Sequence, residues 1–116
     1  MLGRVWIMIA GPYRSGARSG EERAKNLRAL NLAAYELFRM GHIPIIGVNL
    51  ALPIICAAGE ATYDEIMMPL SLATAYRCDA ILRIAGESAG ADLEVERVRA
   101  RGCPVYSSVS DAPAAT

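Results

Sequence analysis

Four short apolar stretches recur along the chain, separated by longer segments that have helical periodicity. Residues 4–10 (RVWIMIA) form a near-continuous apolar run with β-branched and aromatic members, typical of a strand that is covered on both faces. Shorter runs predict further strands at 42–46, 79–84 and 103–106. Because strands covered on both faces belong to parallel sheets flanked by helices, the pattern indicates a parallel sheet.

The longest segment between strands, residues 21–40, is the clearest helix. Ser19 or Gly20 can cap its start and Gly41 can end it. Residues 62–77, with a kink or restart at Pro69, and 91–101 predict two more helices. Residues 47–61 are interpreted as a loop with room for a short helix, and 107–116 as a flexible tail. The apolar stripe of the first helix is predicted to comprise Leu27, Leu30, Ala34, Leu37 and Phe38.

Strictly alternating strands and helices predict a single α/β domain over residues 1–106. Right-handed crossovers would give a small doubly wound sheet of about four strands between two helix layers. Ligands of such folds bind at the carboxyl ends of the strands, from which the loops 11–21, 47–61 and 85–90 emerge. These three loops are therefore the candidate site.

Composition narrows the function classes. Twelve basic residues balance twelve acidic ones among the 116, which argues against a broad basic nucleic-acid surface. The first apolar run is too short for a membrane span or a secretory signal. The three cysteines, Cys56, Cys78 and Cys103, are expected to be buried and reduced, as suits the cytoplasm. His42 is the only histidine and lacks partners at ligand spacing, so no metal site and no cofactor are expected.

The loop after the first strand, GPYRSGARSG, is rich in glycine, arginine and serine. A solvent-exposed turn would explain it, and so would a site for an anion such as a phosphate. Gly11 and Gly16 are not followed by Lys-Ser/Thr, so the loop is not a P-loop. Arg14, Ser15 and Gly16, together with Arg18, are the candidates for holding the anion.

The loop after the third strand carries the strongest candidate for chemistry. Ser88 and Gly90 lie at a helix N-terminus, where free N–H groups attract anions. Glu94 follows early in that helix, and the helix dipole is expected to keep it ionised. An ionised carboxylate beside a pocket can attack an electrophilic carbon. Alternatively Glu94 is an ordinary surface residue, and Asp92 and Glu96 suit the role equally on charge alone.

Together IAGPY, GHIPII, RCDAILRI and ESAGADLEVERVRARGCPVY resemble the nucleoside 2-deoxyribosyltransferase-like superfamily over residues 4–106. The resemblance implies a flavodoxin-like fold and cleavage or exchange of an N-glycosidic bond in nucleosides or their 5′-monophosphates. It implies that Glu94 attacks the sugar, that Tyr13 orients sugar or carboxylate, and that Arg14 and Ser88 contact the 5′-phosphate. The expected substrate-binding residues are then Gly11, Arg14, Ser15, Gly16, Ser88 and Gly90.

The sequence also departs from that pattern. The catalytic relatives carry an aspartate eight residues before Asp79, where this chain has Ser71. Asp64 or Glu65 would have to supply the acid/base group, and Asp64 is the candidate. There are two alternatives to an enzyme. One is a nucleotide-binding protein or sensor without turnover, and the other is a protein of unrelated role, such as an assembly subunit.

Self-association is expected as well. Small domains often hide apolar surface between subunits. The chain is therefore expected to form a homodimer or larger assembly through the apolar residues Leu50, Leu52, Ile54 and Ile55.

Overall fold

The central sheet of the computed structural model, which describes residues 3–115, has four parallel strands. They are β1 (Trp6–Ala10), β2 (Ile43–Ile45), β3 (Ala80–Arg83) and β4 (Val105–Tyr106). The order across the sheet is β2-β1-β3-β4, so β1 pairs with both β2 and β3. The expected small, doubly wound, flavodoxin-like α/β fold is confirmed.

Four helices connect and cover the strands. They are α1 (Gly20–Arg39), α2 (Gly47–Ala58), α3 (Tyr63–Arg77) and α4 (Ala89–Arg99), with short 3-10 turns at Glu60–Thr62 and Val109–Asp111. The side chain of Ser19 accepts a hydrogen bond from the Glu22 N–H, which identifies Ser19 as the N-cap of α1. No helix within residues 3–115 is both long enough and apolar enough to cross a membrane.

Strand β1 is buried on both faces, as its apolar run predicts. Ile7 and Ile9 pack with Leu30 and Leu37 of α1 on one face of the sheet. Met8 and Ala10 belong to the opposite core, which the residues of α3 and α4 complete. Because side chains alternate along β1, this one strand contributes to the apolar cores on both faces of the sheet.

The interpretation of residues 47–61 as mainly loop is wrong, because α2 occupies Gly47–Ala58. Pro53 lies inside this helix, and its usual helix-breaking effect is overcome by packing. Ala51 and Ile55, one turn apart, are buried against Met67 of α3. Pro69 likewise lies within α3, which does not restart there.

Residues 107–115, expected to form a flexible tail, make specific contacts with the domain. Ala112 is buried in the core beside α1. The buried His42 ring donates from Nε2 to the Pro113 carbonyl at 2.6 Å and accepts the Val5 N–H at Nδ1. The Ala115 N–H bonds to the Met40 carbonyl at 2.8 Å. His42 thus connects Val5, the residue before β1, to Pro113, in a structural role.

Some expectations about surface residues need correction. Phe38 was placed on the buried stripe of α1, yet 65% of it is exposed. Cys78 is buried as expected, but Cys56 is exposed and Cys103 is only partly buried; all three cysteines are free. Of the apolar residues expected at a subunit interface, Leu50 and Ile54 are exposed while Ile55 is buried. Self-association through α2 stays a prediction, which light scattering can test.

The first residue of α2 gives a test of how closely α2 and α3 pack. A Cβ on Gly47 would lie 2.9 Å from the Cβ of Ser71, closer than packed atoms tolerate. We expect Gly47→Ala to lower the free energy of unfolding by about 1–3 kcal/mol, measured by urea denaturation.

Gly20→Ala is the matched control, because Gly20 is also the first residue of a helix but meets only the Arg23 side chain, at 3.5 Å. Its effect should stay within about 0.5 kcal/mol. Equal unfolding midpoints for the two variants would contradict the close approach of α2 to α3.

Candidate functional site

A cavity of about 270 Å³ opens at the carboxyl ends of β1 and β3. The chain leaves β1 toward one side of the sheet and β3 toward the other, so the cavity lies at the topological switch point. The loops after β1 and β3 and the helices α2, α3 and α4 all contribute to its wall. The lining residues are Gly11, Tyr13, Arg14, Ser15, Val48, Tyr63, Asp64, Met67, Met68, Ser71, Ser88, Gly90, Ala91 and Glu94.

Glu94 is a buried carboxyl group in the wall of this cavity. It is the sixth residue of α4 and only 9% exposed, whereas Asp92 and Glu96 are exposed. Neither of the two ion pairs found among residues 3–115 includes Glu94. The interpretation of Glu94 as an ordinary surface residue is therefore wrong, and burial distinguishes it from its two acidic neighbours.

The ionisation expected for Glu94 needs correction. Burial raises the pKa of its carboxyl group to about 7, and the positive charge of Arg83 only partly offsets this. The helix dipole does not compensate, since Glu94 lies in the second turn of α4 and the dipole effect fades beyond the first. Near neutral pH the group therefore exchanges a proton readily.

The loop that carries Ser88 is held by Arg83 at the end of β3. The Arg83 guanidinium donates to the carbonyls of Ile84, Gly86 and Ser88 and forms an ion pair with Asp92 at 3.0 Å. Ser88 itself is the N-cap of α4, since its Oγ accepts the Ala91 N–H at 3.1 Å. The hydroxyl proton of Ser88 can still be donated to a ligand in the cavity.

The loop after β1 contributes Tyr13, Arg14 and Ser15 to the cavity. The side-chain amide of Asn26, on α1, donates to the Tyr13 carbonyl at 2.9 Å and so anchors the loop. Gly16 does not reach the cavity but lines a larger neighbouring depression of about 630 Å³. Arg18 lines neither of them. Of the four residues of this loop that are candidates for binding an anion, Arg14 and Ser15 line the cavity, and Gly16 and Arg18 do not.

Gly11 and Gly90 line the cavity through their backbones. A Cβ on Gly11 would meet the Cβ of Ile84 at 2.8 Å, so the absence of a side chain lets β1 and the β3 loop approach. A Cβ on Gly90 would meet the Met68 sulfur at 3.0 Å, a contact that the flexible methionine can relieve. Gly11 is therefore the more constrained of the two.

Helix α3 forms the remaining wall with polar and apolar side chains. Asp64 lines the cavity, whereas the alternative acid, Glu65, does not. Ser71, which stands where the resemblance implies an aspartate, is 3% exposed and lies in the same cavity wall as Glu94. On the neighbouring helix α2, the side-chain amide of Asn49 donates to Asn31 Oδ1 at 2.7 Å, and Asn49 lies outside the cavity.

Sequence patterns alone did not identify Arg83 or the apolar lining residues Val48, Met67, Met68 and Ala91 as contributors to the site. Arg83 could have been noticed as the one charged residue in an otherwise apolar buried strand. Met67 and Met68 also line the cavity, and nothing in the local sequence distinguishes them from ordinary packing residues. No protein-family model matches the sequence, and no curated protein matches it either.

The raised pKa of Glu94 predicts a pH dependence of stability. The folded state keeps the proton up to about pH 7, whereas the unfolded chain releases it near pH 4.5. Between these values the folded state binds more protons, so Glu94 makes stability fall as pH rises, by about 3 kcal/mol in total. Glu94→Gln removes this contribution, so its stability relative to the wild type should rise between pH 5 and pH 8.

Urea denaturation of both proteins across this pH range measures the difference. Glu96→Gln is the control, because Glu96 is exposed and paired only with Arg99 on the surface. A constant difference between Glu94→Gln and the wild type at every pH would contradict a buried, readily protonated Glu94.

Proposed function

We propose that this protein cleaves or exchanges the N-glycosidic bond of nucleosides or their 5′-monophosphates, with Glu94 as the nucleophile. The observation that supports this best is the buried carboxyl group of Glu94 in the wall of a cavity that also contains Arg14 and Ser88. A carboxylate at one side and hydrogen-bond donors at another suit a substrate with an electrophilic sugar carbon and an anionic end.

The reaction starts with ionised Glu94. One carboxylate oxygen bonds to the anomeric carbon as the bond from that carbon to the base nitrogen breaks. The electron pair leaves with the base, which takes up a proton from solvent or from Asp64. Water, or a second base, then attacks the same carbon and releases Glu94. Because the buried carboxylate is poorly hydrated, it is a stronger nucleophile than a surface glutamate.

A nucleotide-binding protein or sensor without turnover is the second candidate. The observation that favours it is Ser71, which lies buried in the cavity wall where the resembling enzymes carry an acid. A serine hydroxyl is a poor proton donor to a leaving base. Binding of nucleotides by the wild type without any base release would favour this candidate. Ser71→Asp would then be the variant with which to seek turnover.

The enzyme proposal is tested by a turnover screen. Deoxynucleosides and their 5′-monophosphates are incubated with the protein, with and without an acceptor base, and free base is measured by chromatography. Glu94→Gln should leave ligand affinity within a few fold but lower turnover about a thousandfold or more, because covalent catalysis loses its nucleophile. The wild-type rate should rise with pH through about 7 as Glu94 ionises.

Glu96→Gln is the matched control, two residues along the same helix and exposed. It should turn over as the wild type does. Retained turnover in Glu94→Gln would refute the assignment of the nucleophile. A rate that falls as pH rises through 7 would instead make Glu94 a general acid.

Arg14 is proposed to bind the 5′-phosphate. Arg14→Ala should weaken binding of a deoxynucleoside monophosphate by about ten- to a hundredfold, as expected for a charge-assisted contact of roughly 1.5–3 kcal/mol. Binding of the deoxynucleoside should change little. Arg18→Ala, in the same loop but outside the cavity, is the control for calorimetric titrations. Equal losses for both ligands on Arg14→Ala would show that Arg14 does not contact the phosphate.

A further inference from the structure

The tightest cation–π contact in the described chain lies in the cavity wall. The guanidinium carbon of Arg14 is 3.7 Å from the centroid of the Tyr63 ring. The two other arginine–tyrosine pairs found among residues 3–115, Arg39 over Tyr35 and Arg101 over Tyr76, have distances of 6.0 and 5.3 Å. At 3.7 Å the guanidinium stacks directly on the ring face, whereas the other pairs are near the limit of the interaction.

This stack leaves the hydrogen-bonding capacity of Arg14 unused. Neither of the two ion pairs among residues 3–115 involves Arg14. A stacked guanidinium contacts the ring with its flat face, so its N–H donors, which lie in the plane, remain directed outward. Partial burial also raises the pKa of the Tyr63 hydroxyl, so the ring stays neutral near pH 7. The pair therefore presents an oriented, unneutralised cation at the cavity.

The stack also separates two spaces. Arg14, Tyr63 and Tyr13 line the 270 Å³ cavity on one side and a depression of about 200 Å³ on the other. Glu60 lines that depression, outside the cavity. Arg23 lines the same depression. Without the Tyr63 ring, the Arg14 guanidinium would be free to rotate toward the Glu60 carboxylate, whose attraction the positive charge of Arg23 offsets only in part.

We propose that Tyr63 is a positioning residue, which holds the Arg14 guanidinium at the cavity by stacking and so sets a preference for 5′-phosphorylated over unphosphorylated nucleosides. The inference rests on the proposed function, because it assigns Tyr63 a role in the recognition of a nucleotide by Arg14. The aromatic ring is the required feature, and the hydroxyl group is not.

The preference is measured as the dissociation constant of deoxyadenosine divided by that of its 5′-monophosphate. The deoxynucleosides of the other three bases and their 5′-monophosphates are tested in parallel. Tyr63→Leu should lower this ratio by about three- to thirtyfold, since the cation–π contact that orients Arg14 is lost. Tyr63→Phe keeps the ring and should keep the ratio within about twofold. Tyr76→Leu is the matched control, about 20 Å away along the same helix and also paired with an arginine.

A second variant separates loss of positioning from loss of folding. In the Tyr63→Leu background, Glu60→Gln removes the carboxylate that competes for Arg14, and part of the lost preference should return. A folding defect would lower both affinities and would not respond to Glu60→Gln. Far-UV circular dichroism of each variant verifies the fold.

The outcomes distinguish the inference from the proposed function. If Arg14→Ala lowers the ratio and Tyr63→Leu does not, the positioning role of Tyr63 is refuted while phosphate recognition stands. If Tyr63→Phe loses the preference as fully as Tyr63→Leu, the hydroxyl acts and the stacking argument is wrong. If Arg14→Ala leaves the ratio unchanged, the proposed phosphate site fails and the role of Tyr63 fails with it.

Discussion

The parallel pairing of β1 with β3 is the constraint on which the candidate site depends. Ile7 to Ala10 pair in register with Ala80 to Arg83, so the two strands end side by side. The two loops that follow are then adjacent, although more than 60 residues of chain separate them. Gly11 permits this adjacency, because any side chain there would collide with Ile84. One strand pair thereby brings the arginine of the first loop and the serine and glutamate of the second to a common cavity.

Burial and nearby positive charge have opposite effects on the pKa of Glu94, and this pKa decides the chemistry of the cavity. The N-terminus of α4 favours negative charge, but that effect is confined to its first turn. Glu94 lies one turn deeper, where Ala91, Val95 and Val98 exclude water from the same side of the helix. Desolvation therefore dominates and raises the pKa of the carboxyl group to about 7. A buried carboxyl group is unfavourable for stability, and such residues are characteristic of functional sites.

The polar groups around the cavity divide into those that hold the structure and those that remain free. Arg83 uses its donors on the loop carbonyls and on Asp92, and Asn26 anchors the carbonyl of Tyr13. Among residues 3–115 the Arg14 side chain has no such partner, and its one recorded contact of this kind is the stacking on Tyr63. This difference separates Arg14, in the loop after β1, from Arg83, the last residue of β3. It also explains why the proposed ligand contacts are assigned to Arg14.

The sequence by itself determined the class of fold and much of the candidate site. The apolar runs predicted all four strands, and their alternation with helices predicted the doubly wound sheet, because burial on both faces requires helices on both sides. It also placed the loops of Arg14 and Ser88 at the carboxyl ends of the strands, where ligands of such folds bind. Only the tertiary structure decided that α2 is a helix despite Pro53, since its stability comes from packing on α3 rather than from local propensity. On charge alone the sequence left Glu94, Asp92 and Glu96 equivalent, and only the resemblance pointed to Glu94. The tertiary structure showed that Glu94 is the buried one of the three, because burial depends on contacts between distant segments that local periodicity does not encode.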